Sequence, residues 1–245
     1  MISTRVRGGQ NQYGFTVGIL MLDTQFPRIR GDMGNATTFP FPVRYHRVAG
    51  ADPDRVVRQG ARALLPAFVE GARALVREGV GAITTNCGFL AKFQKELTAA
   101  VPVPVFTSSL MLVPLVHRML APGQRVGIMS VDATALTAEH MAGAGITAEM
   151  PVVIVGLESE KEFTRVMLGN ELELDVEAAR EEHLRVARQL VEAHPDVGAI
   201  VLECTNMPPY TADIQRATGR PVFDITSLVR MAHDALVGAL GPRPA

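Results

Sequence analysis

Two cysteines, Cys87 and Cys204, are the residues of this 245-residue chain whose type and spacing best support chemistry. They fall on each other when residues 80–106 are laid over residues 197–223 at a constant offset of 117, with no gap. The same overlay matches Val80, Gly81, Ala82 and Ile83 with Val197, Gly198, Ala199 and Ile200, and Pro104, Val105 and Phe106 with Pro221, Val222 and Phe223. A lone buried cysteine is most often a small hydrophobe. Two in register, each just past an apolar β-rich run, point instead to a shared task. Thiols on opposite faces of a carbon acid can remove a proton from one side and return one from the other, exchanging roles as the reaction reverses.

The residues after each cysteine suit that chemistry. Gly88 is followed by Phe89, Leu90, Phe93 and Leu97 at helical spacing; Thr205 and Asn206 are N-cap types, with Pro208 and Pro209 in a first turn and Met207, Tyr210 and Ile214 on one face. Each thiol is therefore expected at a helix N-terminus, where unpaired N–H groups favour the thiolate and bind a carboxylate. Charge that builds on a substrate carboxylate would be met by donors at Asn86, Gly88, Thr205 and Asn206, with Thr24 and Ser130.

The elements that must hold these residues alternate along the chain. Apolar β-rich runs lie at 15–22, 43–48, 80–85, 103–106, 125–131, 152–155, 197–202 and 221–223, separated by helical patterns, which predicts crossover units and mainly parallel sheets. A second echo, at an offset of 109, pairs Val17-Gly18-Ile19 and Asp23 with Val126-Gly127-Ile128 and Asp132. The expected architecture is α/β, with two pseudo-symmetric lobes and a cleft between them. Lobe 1 takes 14–107 plus 224–240, lobe 2 takes 108–223, and 1–13 is a flexible N-terminal leader. In parallel sheets ligands gather outside the carboxyl ends of the strands, where both cysteines fall.

Composition narrows the function classes. With 47% hydrophobic and 20% charged residues the chain should fold around a packed core. Lys plus Arg number 24 against 25 Asp plus Glu, so no net field favours nucleic acid or an anionic membrane. The opening stretch lacks an apolar h-region and no apolar run approaches the roughly 20 residues of a membrane span, so a cytoplasmic protein with no membrane partner is expected. In a reducing compartment a disulfide is not expected. The six histidines are scattered and no metal-ligand spacing occurs, so no metal is implied.

At this point the motifs resemble a known family. Cys204-Thr205-Asn206-Met207-Pro208 is similar to the Cys-Thr-His-x-Pro motif of the aspartate/glutamate racemase superfamily, with Asn206 in the histidine's place. Val17-Gly18-Ile19 with Asp23-Thr24 resembles its first strand and Asp-Ser pair, and Thr85-Asn86-Cys87-Gly88 stands where it has its first Cys-Asn-Thr. The resemblance implies Rossmann-like lobes, no cofactor, a homodimer, a small carboxylate substrate and a role for Asp23 in orienting Cys87. Relatives in that superfamily racemise amino acids or hydantoins, isomerise maleate or decarboxylate arylmalonates. Two departures, Gly88 and Asn206, weaken an amino-acid substrate, and retention of both cysteines argues against the one-thiol decarboxylase branch.

The long Gly- and Pro-rich segment 23–42 is expected to cover the cleft, with Arg28 or Arg30 meeting a second substrate carboxylate. The charged stretch 158–183 reads as two solvated helix faces without chemistry. The leading expectation is a cofactor-independent racemase or epimerase of an amino acid or related small carboxylate, with Cys87 and Cys204 as its acid/base pair. The alternatives are a maleate-type isomerase or a decarboxylase, a non-catalytic small-acid binding protein on the same fold, and a dithiol redox protein. Solvent deuterium washed into a substrate C–H would separate the enzymes from the binder.

Overall fold

The computed structural model describes residues 8–239. Chain order is β1 (Val17–Met21), β2 (Val43–Arg47), α1 (Pro53–Val57), α2 (Leu65–Arg77), β3 (Ala82–Thr85), α3 (Gln94–Ala100), β4 (Val105–Phe106), α4 (Val113–Met119), β5 (Arg125–Ser130), α5 (Ala138–Gly143), β6 (Val152–Gly156), α6 (Phe163–Gly169), α7 (Val176–Ala193), β7 (Val197–Leu202), α8 (Thr211–Thr218), β8 (Val222–Phe223) and α9 (Ile225–Ala239). The strands coincide with the eight apolar runs to within two residues at each end. The inner runs, β1, β3, β5 and β7, are buried on both faces, as helices on either side of a parallel sheet require.

The strands form two four-stranded parallel sheets, ordered β2-β1-β3-β4 and β6-β5-β7-β8. The internal repeat is carried into the register. Val17 lies opposite Val43 and Ala82, and Val126 lies opposite Val152 and Ala199. Ile83 pairs with Val105, and Ile200 with Val222. One offset thus relates the first two strands of each sheet and the other relates the last two, so the sheets are copies of one pairing scheme.

The repeated glycines have a packing reason. A Cβ on Gly18 would sit 2.9 Å from Leu75 Cδ1 of α2, and one on Gly127 would sit 2.8 Å from Leu190 Cδ2 of α7. Removing the side chain at the same point of each central strand lets a helix leucine rest on the backbone. The final helix returns to the first sheet: Thr16 Oγ1 lies 2.6 Å from His233 Nδ1, and the rings of Phe41 and His233 stack. Of the leader segment, residues 1–7 lie outside the described residues, as does residue 240 of the last helix. Gln12 accepts a hydrogen bond from Arg44. No helix among the described residues is long and apolar enough to cross a membrane.

The charged stretch 158–183 departs from the solvated faces expected of it. Phe163, Val166, Met167 and Leu168 of α6 are buried. Glu182 is buried as well, and its carboxylate accepts from the backbone N–H groups of Lys161, Glu162 and Phe163 at 2.9, 2.7 and 2.8 Å. A carboxylate on the free amides of a helix start is a favourable pairing, and here it pins α6 to α7. Charge in the sequence here marks a buried cap.

Candidate active site

Cys87 follows β3 with only Asn86 between, and Cys204 follows β7 with only Glu203 between. Both thiols are free, both are 8% exposed, and both line one cavity of about 30 Å³. Its floor includes Asn86, Gly88, Thr205 and Asn206; Pro53 and Val57 of α1, Met167 and Leu168 of α6, and Leu22, Phe26, Phe89 and Val131 form the walls. Among the described residues that line it, none is cationic and one, Glu203, is acidic. The two halves are tied beneath it by Thr205, whose hydroxyl donates to the Asn86 carbonyl.

Local structure after each cysteine differs from the helix start expected there. Cys87 leads into a 3₁₀ turn at Gly88–Phe93, and α3 begins only at Gln94. Gly88, Phe89, Leu90, Ala91 and Phe93 are all buried, so the turn is packed on every side instead of along one helical stripe. After Cys204, prolines at 208 and 209 occupy a short 3₁₀ turn and α8 begins at Thr211. The expectation that these positions favour the thiolate is corrected in the same way. Burial pushes the Cys87 thiol up to about 12, the charge of Glu203 adds to it, and the backbone N–H of Phe89 opposes both only in part. Cys204 is raised well above its ordinary value by burial and Glu203, against a hydrogen bond from the Asn206 backbone. Desolvation of a buried anion outweighs one or two amides.

Glu203 was not singled out by sequence. It occupies the repeat position of Asn86: Asn86 N–H donates to the Leu20 carbonyl at 3.0 Å, and Glu203 N–H to the Met129 carbonyl at 2.8 Å. Asn86 is satisfied, its Oδ1 accepting from Leu22 N–H at 2.7 Å. In Glu203, Oε2 accepts from Ser130 Oγ at 2.8 Å, and Oε1, buried, finds no hydrogen-bond partner among the described residues. The Oε1 end abuts Gly88, where an added Cβ would fall inside the carboxyl. This accounts for Gly88: its missing side chain is the space the carboxyl fills. The readable signal was an acid ending the apolar run Val197–Leu202.

Burial raises the Glu203 carboxyl from 4.5 to about 8, while the Ser130 hydroxyl pulls the other way. The folded state therefore keeps a proton that the unfolded chain has lost. Stability from this group is full below about pH 4.5 and is lost as pH rises to about 8. Thermal midpoints across that window should show this fall in the wild type and a flatter profile in Glu203→Gln. Equal slopes in the two proteins would contradict the assignment.

Of the other expected site residues, Asn86, Gly88, Thr205 and Asn206 line the cavity with the cysteines, and Asp23, Thr24, Arg28 and Ser130 do not. The carboxylate of Asp23 is taken by Arg47 at 3.1 Å and by the Gly50 N–H at 3.0 Å, so the expected pairing with Cys87 gives way to Glu203. Ser130 acts through Glu203. Arg28 is not free for a substrate carboxylate: it donates to Asp32 Oδ1 and Thr24 Oγ1, each at 2.8 Å, and lies over the Phe26 ring. Arg30 is exposed. Asp32 in turn accepts from Asn206 Nδ2 at 2.6 Å, and Cys204 Sγ donates to Asn206 Oδ1 at 3.6 Å. The 23–42 segment is thus a braced loop that reaches the second cysteine through Asp32 and Asn206, contributes Phe26 to the cavity wall, and meets the end of α6 through Gln25 and Asn170.

Comparison with known proteins agrees with this arrangement. A family model described as Asp/Glu/Hydantoin racemase matches residues 58–232. A dimethylsulfoniopropionate lyase of Durusdinium sp. clade D is 33% identical over 216 residues, covering 85% of this chain and 71% of that protein. Dimethylsulfoniopropionate lyase 7 of Emiliania huxleyi (strain CCMP1516) is 28% identical over 230 residues, covering 86% and 64%. The chain thus spans about two thirds of the length of these curated relatives. Among solved structures, a mutant arylmalonate decarboxylase in its sulfate-associated form superposes with a TM-score of 0.58 at 19% identity, covering 89% of this chain and 93% of that one. A putative Asp/Glu racemase from Yersinia pestis gives 0.58 at 15% identity, covering 93% and 100%. The duplicated parallel sheets, the paired cysteines and a family match that takes in both of them lead to one conclusion: this chain belongs to the Asp/Glu/hydantoin racemase family.

Proposed function

We propose that this protein is a lyase that eliminates a β-leaving group from a small carboxylate of the dimethylsulfoniopropionate type. The observation that carries this reading is the lining of the cavity. An aspartate or glutamate racemase must accommodate a second carboxylate, yet among the described lining residues there is no cation to receive one, and an acid is present. Arg28, the cation expected to serve, is held by Asp32 and Thr24. The likeness to two dimethylsulfoniopropionate lyases supports the same direction.

The chemistry needs little beyond what the cavity holds. A thiolate from one cysteine takes the proton from the carbon next to the carboxylate, and the C–H electrons become the carbon–carbon double bond. The bond from the β-carbon to the sulfonium sulfur breaks, and its pair leaves with neutral dimethyl sulfide. Acrylate remains, and the thiol returns its proton to solvent. Burial disfavours the thiolate in the empty cavity, and the positive charge of the substrate offsets that cost on binding. The cavity has room for only about two waters, so seating the substrate requires α1 or α6 to move aside.

Incubating the protein with dimethylsulfoniopropionate and measuring dimethyl sulfide by gas chromatography, with acrylate by chromatography, tests this. Equal amounts of both products are expected. Absence of both, together with deuterium incorporation into an amino acid in heavy water, would overturn the lyase reading in favour of a racemase.

A further inference from the structure

We propose that Glu203 is the counter-ion that selects substrates bearing an onium group, a sulfonium or a fully substituted ammonium, at the carbon β to the carboxylate. The inference deepens the lyase reading and rests on it for the substrate class.

Under the repeat offset of 117, Glu203 stands where the first half of the cavity floor has Asn86, and the two differ in charge and in partners. Asn86 is neutral, and its side-chain oxygen is spent on the Leu22 amide. Its counterpart is an acid with one oxygen on Ser130 and the other unpaired and buried. A buried unpaired carboxyl oxygen is costly unless something arrives to meet it. An onium carries no N–H or S–H donor, so it needs a charge and a soft apolar surround instead of a hydrogen-bond acceptor. The cavity offers that surround in Phe26, Phe89 and Met167. Proton transfer between like faces of an amino acid requires no such asymmetry, whereas a substrate with a cation at one end and a carboxylate at the other does. A bound onium also opposes the effect of Glu203 on the thiols, since the acid raises both of them. Burial raises the acid itself to about 8, and a cation in contact would hold it ionised at lower pH.

The test is calorimetric and needs no turnover. Trimethylammoniopropanoate and its isostere without the onium charge, 4,4-dimethylpentanoate, are titrated into the wild type, Glu203→Gln and Glu203→Asp, with circular dichroism recorded for each protein. The wild type should bind the onium at least ~30-fold more tightly than the isostere, the effect of leaving one partner of a buried charge pair unmatched. In Glu203→Gln the preference should fall to within ~3-fold, and Glu203→Asp should be intermediate. No preference in the wild type, or one that survives in Glu203→Gln, overturns the inference. If Glu203→Gln does not fold, the wild-type preference and its reduction in Glu203→Asp decide the matter. Onium selectivity without release of dimethyl sulfide would sink the lyase reading and leave the role of Glu203 standing; release without selectivity would do the reverse.

Discussion

Serine at whichever of Cys87 and Cys204 acts as the base is expected to lower kcat/KM for dimethyl sulfide release by roughly 10²–10⁴-fold, the usual contribution of a positioned acid/base group. Both sulfurs line one cavity at equal exposure, and each carries an amide two residues on, Phe89 for Cys87 and Asn206 for Cys204. The removal of a proton requires an anion that a hydroxyl cannot supply near neutral pH. Serine is close to isosteric, so thermal midpoints should shift little, which separates lost chemistry from lost fold. Elimination needs one base and inversion needs two. If only one of the two substitutions abolishes release, the base is identified; if both serine variants keep wild-type rates, neither thiol acts and the assignment of the site fails.

The second large effect concerns stability. Asp32→Ala should cost about 3–5 kcal/mol, measured by urea unfolding, because it strands Arg28 in a site where its side chain is only 12% exposed. Asp32 itself is 3% exposed and accepts from Arg28, Gly34 and Asn206. Removing both partners, with Arg28→Met added to Asp32→Leu, should cost less than removing Asp32 alone, since no uncompensated charge is then left behind. Additive losses in the double variant would show that the pair is not the bracing element. Asp32→Ala should also loosen Asn206 and with it the Cys204 hydrogen bond, so turnover should fall in the fraction that remains folded.

The two largest effects lie on different levels of legibility. The cysteine pair could be read directly, because a period in the letters reports a period in the strands and a rare residue in register is conspicuous. The same holds for the strands, whose inner members β1, β3, β5 and β7 are apolar runs buried on both faces, and for Gly18 and Gly127, whose repetition reflects a helix leucine resting on each central strand. The Arg28–Asp32–Asn206 chain could not be read. Its members were visible as charged and polar letters, but loop geometry and not spacing decides which partner each one meets, and Arg28 turned inward to Asp32.

Glu203 shows the limit most clearly. A comparison of the two halves rewards identity, and the informative position is where the copies differ, an acid against an asparagine. Its carboxyl became a feature of the cavity because Gly88, from the other half, leaves it room, and no local pattern connects residues 88 and 203. The same is true of the thiols. Proximity to a turn suggested a lowered pKa, and the depth of burial, with a neighbouring acid, raised it.

By itself the amino-acid order determined the family, the duplicated α/β sheets and the pairing of two thiols at matching strand ends, because those follow from periodicity and from local rules of strand burial. Only the tertiary structure decided the electrostatics: which charges are spent on one another, which acid is left without a partner, and how dry the cavity is. Those depend on distances between groups far apart in the chain and on the removal of water around them, and neither quantity is written in any local stretch of sequence.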